Sequence, residues 1–124
     1  GFYENTLQNF VFEGASGMET MSRIMSDCRN NPPTELAGLK VLEVHDFEAS
    51  TITDTETGKA RAIELPKSNV LSYRMESGDA VIVRPSGTEP KIKIYITAKA
   101  SSREEAENKL SVISESVKAL LGIE

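Results

Sequence analysis

The residues best suited to chemistry lie in one short run, Arg84-Pro85-Ser86-Gly87-Thr88-Glu89-Pro90. Arg84 carries a planar fork of donors that matches the oxygens of a phosphate. Ser86 and Thr88 add hydroxyl donors. If the run is a loop, the backbone N–H groups of Ser86, Gly87, Thr88 and Glu89 are free of any strand ladder. Gly87 can take a positive φ, which would let consecutive N–H groups converge as an anion nest. Pro85 and Pro90 stiffen the loop ends, so less entropy is lost when a ligand arrives. A phosphoryl dianion suits this set, because each hydrogen bond to a charged partner contributes roughly 1.5–3 kcal/mol before desolvation. Lys91 and Lys93 add local positive field, and Lys91 is a candidate contact on position alone. Glu89 would repel phosphate, so its side chain is expected to turn away and pair with a Lys or a backbone donor. The same run also fits an ordinary β-hairpin loop, in which Gly and Pro are common and Arg is solvated.

The flanking elements must hold this loop. Lys91 to Lys99 alternate strictly: Ile92, Ile94, Ile96 and Ala98 on one side, and Lys91, Lys93, Tyr95, Thr97 and Lys99 on the other. A two-residue period predicts a strand with one buried and one wet face. Residues 70–76 and 80–84 read as two strands joined by a tight turn at Ser77-Gly78-Asp79. Residues 6–12 and 39–47 read as further strands. A turn is expected at 54–59, and 60–69 carries no clear pattern. Ser16 and Glu19 have capping-box spacing, so a helix should begin there. Met18, Met21, Ile24, Met25 and Cys28 would form its buried stripe, and Asn30-Asn31-Pro32-Pro33 would end it. A last helix spans about 102–121, capped by Ser102 with Glu105 and stopped by Gly122, with Ala106, Leu110, Ile113, Val117 and Leu120 on one face. The order is β-α-β-β-β-β-α. This predicts one α+β domain over 1–124, an antiparallel-rich sheet with both helices on one face, and 1–4 as a linker remnant.

Composition bounds the function. The chain has 124 residues, 39% apolar and 27% charged, as in an ordinary globular domain. Fourteen Lys and Arg against nineteen Asp and Glu give −5, which opposes nucleic-acid binding. No apolar run is long enough for a membrane helix. One Cys allows neither an internal disulfide nor a Cys-based zinc site. The chain opens Gly1-Phe2-Tyr3, without Met or a signal-peptide pattern, and is expected to be a piece of a longer protein.

The remaining chemical groups read as structural. His45 sits in a strand with no partner motif. Cys28 lies on an apolar stripe, as a buried inert thiol. Glu43, Asp46, Glu48 and Asp54 are scattered, lack Ca²⁺-loop spacing and are expected to be solvated. Lys67 and Ser68 are read as structural residues within reach of a cleft.

Residues 84–95, RPSGTEPKIKIY, resemble the C-terminal-domain signature of the α-D-phosphohexomutases, the phosphoglucomutase/phosphomannomutase family. The Arg-x-Ser-Gly-Thr-Glu-Pro core stands without substitution. LPKSNVL (65–71), the ETMSRIM–RNNPP stretch (19–33) and REEAE (103–107) also look like that family's last domain. The likeness covers essentially the whole chain and is closest to the branch of bacterial phosphoglucomutases and related phosphopentomutases. It implies a four-domain enzyme that interconverts sugar 1- and 6-phosphates through a phosphoserine and a sugar bisphosphate, with Mg²⁺. It implies a fourth domain similar to the TATA-box-binding protein, β-α-β4-α. Arg84, Ser86, Gly87 and Thr88 would grip the substrate phosphate distant from the reacting one. The family's phosphoserine, Mg²⁺ and sugar-selecting loops belong to the other three domains and have no counterpart here. The resemblance thus implies no metal and no catalytic residue in this chain, and an inactive fragment. Its partners would be a phosphosugar and the other three domains, in the cytoplasm, with no nucleic acid and no membrane. A phosphopentomutase or phosphoglucosamine mutase domain, a free-standing anion-binding module and a DNA-binding domain remain the alternatives.

Overall fold

Residues 2–123 are described in the structure, a computed structural model. The elements run β1 (Phe2–Val11), α1 (Gly17–Asn30), β2 (Glu35–Leu36), β3 (Leu39–Asp46), β4 (Thr51–Asp54), β5 (Ala60–Ala62), β6 (Leu71–Met75), β7 (Ala80–Pro85), β8 (Lys91–Ala100) and α2 (Arg103–Leu121). All pairings are antiparallel. The sheet order is β1-β8-β7-β6-β3-β4-β5, with β2 on β3.

The alternation read in β8 governs the packing. Every second residue from Ile92 to Ala100 is buried. Their neighbours Val81 and Val83 on β7, and Leu71 and Tyr73 on β6, are buried on the same face. Met21, Ile24, Met25 and Cys28 of α1 and Ile113, Val117 and Leu121 of α2 join them in one cluster. Both helices therefore cover one face of the sheet, as expected for the α+β class, and the opposite face is left open.

Two buried polar groups tie this core together. Asp79, in the turn between β6 and β7, has a fully buried carboxylate. It accepts from the Lys99 N–H at 2.7 Å, from the Ser77 hydroxyl at 2.5 Å and from Lys109 Nζ at 3.3 Å. A buried charge persists only when paired and hydrogen-bonded in this way. The Tyr73 hydroxyl, also buried, donates to the Cys28 carbonyl at 3.0 Å and so satisfies itself at the end of α1.

The structure corrects the expected elements at several points. Residues 2–4, expected as linker, extend β1 and pair with Ala98–Ala100; Gly1 lies outside the described residues. Strand β8 runs long enough to offer these residues backbone partners, which their side chains do not announce. Strands β2, β4 and β5 are additional. Hairpin β4–β5 is too short and too exposed to carry a burial pattern, so nothing in it alternates. Ser16 precedes α1 but makes no side-chain cap, because its backbone (φ −98°, ψ 12°) is not the extended form that a capping hydroxyl needs. Ser102 is extended and caps α2 through the Glu105 N–H at 3.2 Å. Glu105 turns to the Ser101 hydroxyl, so only half of the expected box forms. Gly122 closes α2 at φ 75°, as expected. Met18, placed in the buried stripe, is 43% exposed.

The start of α1 is set by contact rather than by a cap. A Cβ on Gly17 would lie 2.1 Å from the Phe12 carbonyl oxygen and 3.0 Å from Pro90 Cβ. Gly87 has open space at the same position. Gly17→Ala is therefore expected to cost about 1–3 kcal/mol, and Gly87→Ala to stay within about 0.5 kcal/mol, by urea unfolding.

Burial raises the Tyr73 phenol well above its usual range and likewise raises the Cys28 thiol. The folded chain holds both protons where the unfolded chain would release them. Stability from these groups is complete below their unfolded values and falls as pH rises beyond about 9–10. Urea midpoints taken between about pH 7 and pH 11 should show this alkaline decline, and Tyr73→Phe should flatten its upper part.

Candidate functional site

Strand pairing brings the loop's cations together. Arg84 near the end of β7 lies directly opposite Lys93 on β8. Both point to the open face, opposite to Val83 and Ile94. Among the described residues neither has a carboxylate within ion-pair distance. Lys91 differs: its Nζ lies 3.9 Å from Glu89 Oε1. Glu89 does pair with a Lys, as expected, and part of the Lys91 charge is spent on it.

The loop is tied to itself and to the fold. Ser86 N–H donates to the Lys91 carbonyl at 2.9 Å, and Lys91 N–H to the Glu89 carbonyl at 2.8 Å. Ser86 Oγ accepts from the N–H groups of Thr88 (3.3 Å) and Glu89 (3.1 Å). At the far end, Phe12 N–H donates to the Pro90 carbonyl at 2.8 Å. The Gly17 contact presses the same corner against α1.

This corrects the expected nest. Of the four amides read as free, those of Ser86, Thr88 and Glu89 already have acceptors; among the described residues only Gly87 N–H lacks one. Gly87 is not in the left-handed region. The reason is local: Ser86 folds its hydroxyl back over the turn and takes the place of an anion. The two bonds it accepts are long and uncharged, so a phosphoryl oxygen is the stronger acceptor for the same donors.

Beside Ser86 and Pro85 runs an open groove of about 290 Å³, whose other polar walls include Ser22, Ser26 and Arg29 of α1 and Asn69. Arg29 bonds Asp46 Oδ2 through Nε at 3.1 Å and Asn69 Oδ1 through Nη2 at 2.7 Å, and lies 3.9 Å from Glu48 through Nη1. Asp46, read as solvated, is buried and also accepts from the N–H groups of Glu48 and Ala49. Arg29 and Asn69 went unnoticed as site residues in the sequence. Each is an ordinary polar residue until folding brings them together.

The other groups stay structural or apart. His45 Nε2 is 2.9 Å from Glu43 Oε1 on the open face. Glu43 also meets Arg61 at 3.5 Å, and Asp54 receives the N–H groups of Glu56 and Thr57 in the β4–β5 turn. Cys28 is buried, and Lys67 and Ser68 are exposed. Among the described residues no three His, Cys, Asp or Glu side chains gather as a metal site, and no helix is long and apolar enough to cross a membrane.

A family model described as phosphoglucomutase/phosphomannomutase, C-terminal domain, matches residues 21–114, which include the whole loop. A phosphoglucomutase of Staphylococcus epidermidis is 40% identical over 97 residues, covering 78% of this chain and 18% of that protein. One of Staphylococcus aureus is 35% identical over 113 residues, covering 91% of this chain and 20% of that protein. The chain thus spans about one-fifth of the length of these relatives. The family match spans the loop and most of both helices, and the chain belongs to the phosphoglucomutase/phosphomannomutase family as a C-terminal domain.

Proposed function

We propose that this domain holds the non-reacting phosphate of a phosphosugar in a mutase that exchanges phosphate between the sugar's 1- and 6-positions. The observation that carries the reading is Arg84, exposed beside Lys93 with no carboxylate partner among the described residues, at the root of a loop that offers several donors. Two adjacent cations repel each other, and a bound anion offsets that repulsion. Ser86, Gly87 and Thr88 supply the remaining donors. Lys91 is the weaker contact, since Glu89 shares it.

The reaction explains why such a grip is useful. A bisphosphorylated intermediate must present first one phosphate and then the other to a single phosphoryl-transfer group. A loop that binds phosphate and ignores the ring can hold either end. Its binding energy is remote from the reacting centre and serves positioning. Docking of the domain over the substrate also keeps water from the reacting phosphate. The phosphoryl-transfer group, the Mg²⁺ and the sugar-selecting contacts would come from the rest of a longer, cytoplasmic protein, and this domain alone would be inactive. Glucose phosphates are favoured over pentose or glucosamine phosphates because the relatives are phosphoglucomutases.

In the full-length enzyme, Arg84→Ala should lower kcat/KM by about 100-fold or more, with the unfolding midpoint of the domain unchanged. Unaltered steady-state kinetics in that variant would overturn the assignment.

A further inference from the structure

The hydrogen bond between Arg29 and Asn69 settles which way the Asn69 amide faces. A guanidinium has donors only. The prong of Asn69 that meets Arg29 Nη2 at 2.7 Å must therefore be the carbonyl Oδ1. The Nδ2 group is left on the other prong as a donor, and no acceptor for it is found among the described residues.

Asn69 is held on both sides. Ser68 N–H donates to the Phe47 carbonyl at 3.1 Å, and Phe47 N–H donates to the Val70 carbonyl at 3.0 Å. Arg29 is itself fixed, with its side chain 19% exposed and its Nε on the buried Asp46. The backbone beside Asn69 is thus pinned and its side chain is bonded to Arg29 before any ligand binds, which lowers the cost of using it. Its position is also informative. The β6–β7 ladder begins with Leu71 opposite Val83, two residues after Asn69 and two before Pro85. Asn69 and Ser86 line one groove. The carboxylate in that groove, Glu48, is drawn toward Arg29.

We propose that Asn69 is a further ligand-contacting residue, donating through Nδ2 to an oxygen of the phosphosugar held by the 84–88 loop. Arg29 is a positioning residue that acts through it. This rests on the reading of that loop as the phosphate site. The recognised chemistry is an oxygen acceptor that carries or adjoins negative charge.

Asn69→Asp tests this directly in the full-length enzyme. The carboxylate still accepts from Arg29 but replaces the donor with a like charge. KM should rise about 10-fold or more, with kcat changed much less. Asn69→Ala should raise KM in the same direction, and Asn69 is exposed, so neither change disturbs the core. Arg29→Gln should also raise KM, and by little more when combined with Asn69→Ala, because both act on one contact. Fully additive effects would mark Arg29 as merely structural and overturn its role. If both Asn69 variants keep KM within about twofold while Arg84→Ala is impaired, the Asn69 contact is overturned and the loop reading stands. If Arg84→Ala is itself unimpaired, both fall.

Discussion

Strand β8 is paired on both sides, with β1 from Lys91 to Ala100 and with β7 from Ile92 to Thr97. Its alternating Ile side chains enter the core and its Lys side chains stay on the open face. A shift of one residue would bury the lysines and expose the isoleucines, so the register is strongly held. The loop at 84–90 is the connection into this strand. Its two ends are fixed by that ladder, and the pairing of Arg84 with Lys93 follows from the same register. The contact of Gly17 with Phe12 and Pro90 adds a second anchor at the loop's far end. A loop between two buried strands is more exact in its placement than one between frayed ends.

Charge is arranged with the same economy. The net −5 describes the chain as a whole. Its buried carboxylates, Asp46 and Asp79, are each answered by a cation and by backbone donors. On the open face His45 and Arg61 meet Glu43. Arg84 and Lys93, like Arg74 and Lys99, have no carboxylate partner among the described residues, and they sit directly opposite each other. Unpaired cations beside each other raise the local potential, and partial screening by the surrounding fold leaves that potential directed outward. The acidic average and the basic site are therefore compatible.

The loop's internal bonds bear on how it would bind. Ser86 orders the turn by accepting from Thr88 and Glu89, and a ligand must take over those donors. This keeps the backbone close to its bound course without an empty, repulsive nest. The arrangement would trade some affinity for pre-order.

Much of this was legible in the sequence because short-range patterns carried it. The two-residue alternation of β8 and the stripe on α2 predicted the covered sheet, since each pattern has one face to hide. The residues Arg84, Ser86, Gly87 and Thr88 were identifiable because they lie together in the chain. The hairpin β4–β5 and residues 2–4 of β1 were not, because they are strands by backbone pairing and bury little. The capping role of Ser16 failed on a backbone angle that no residue type dictates. The bonding state of the loop amides and the bridge from Asp46 through Arg29 to Asn69 were decided only by folding. They join residues from a helix end, a strand end and a later connection, and a hydrogen bond between such distant positions depends on ångström-scale placement that only the packed core supplies.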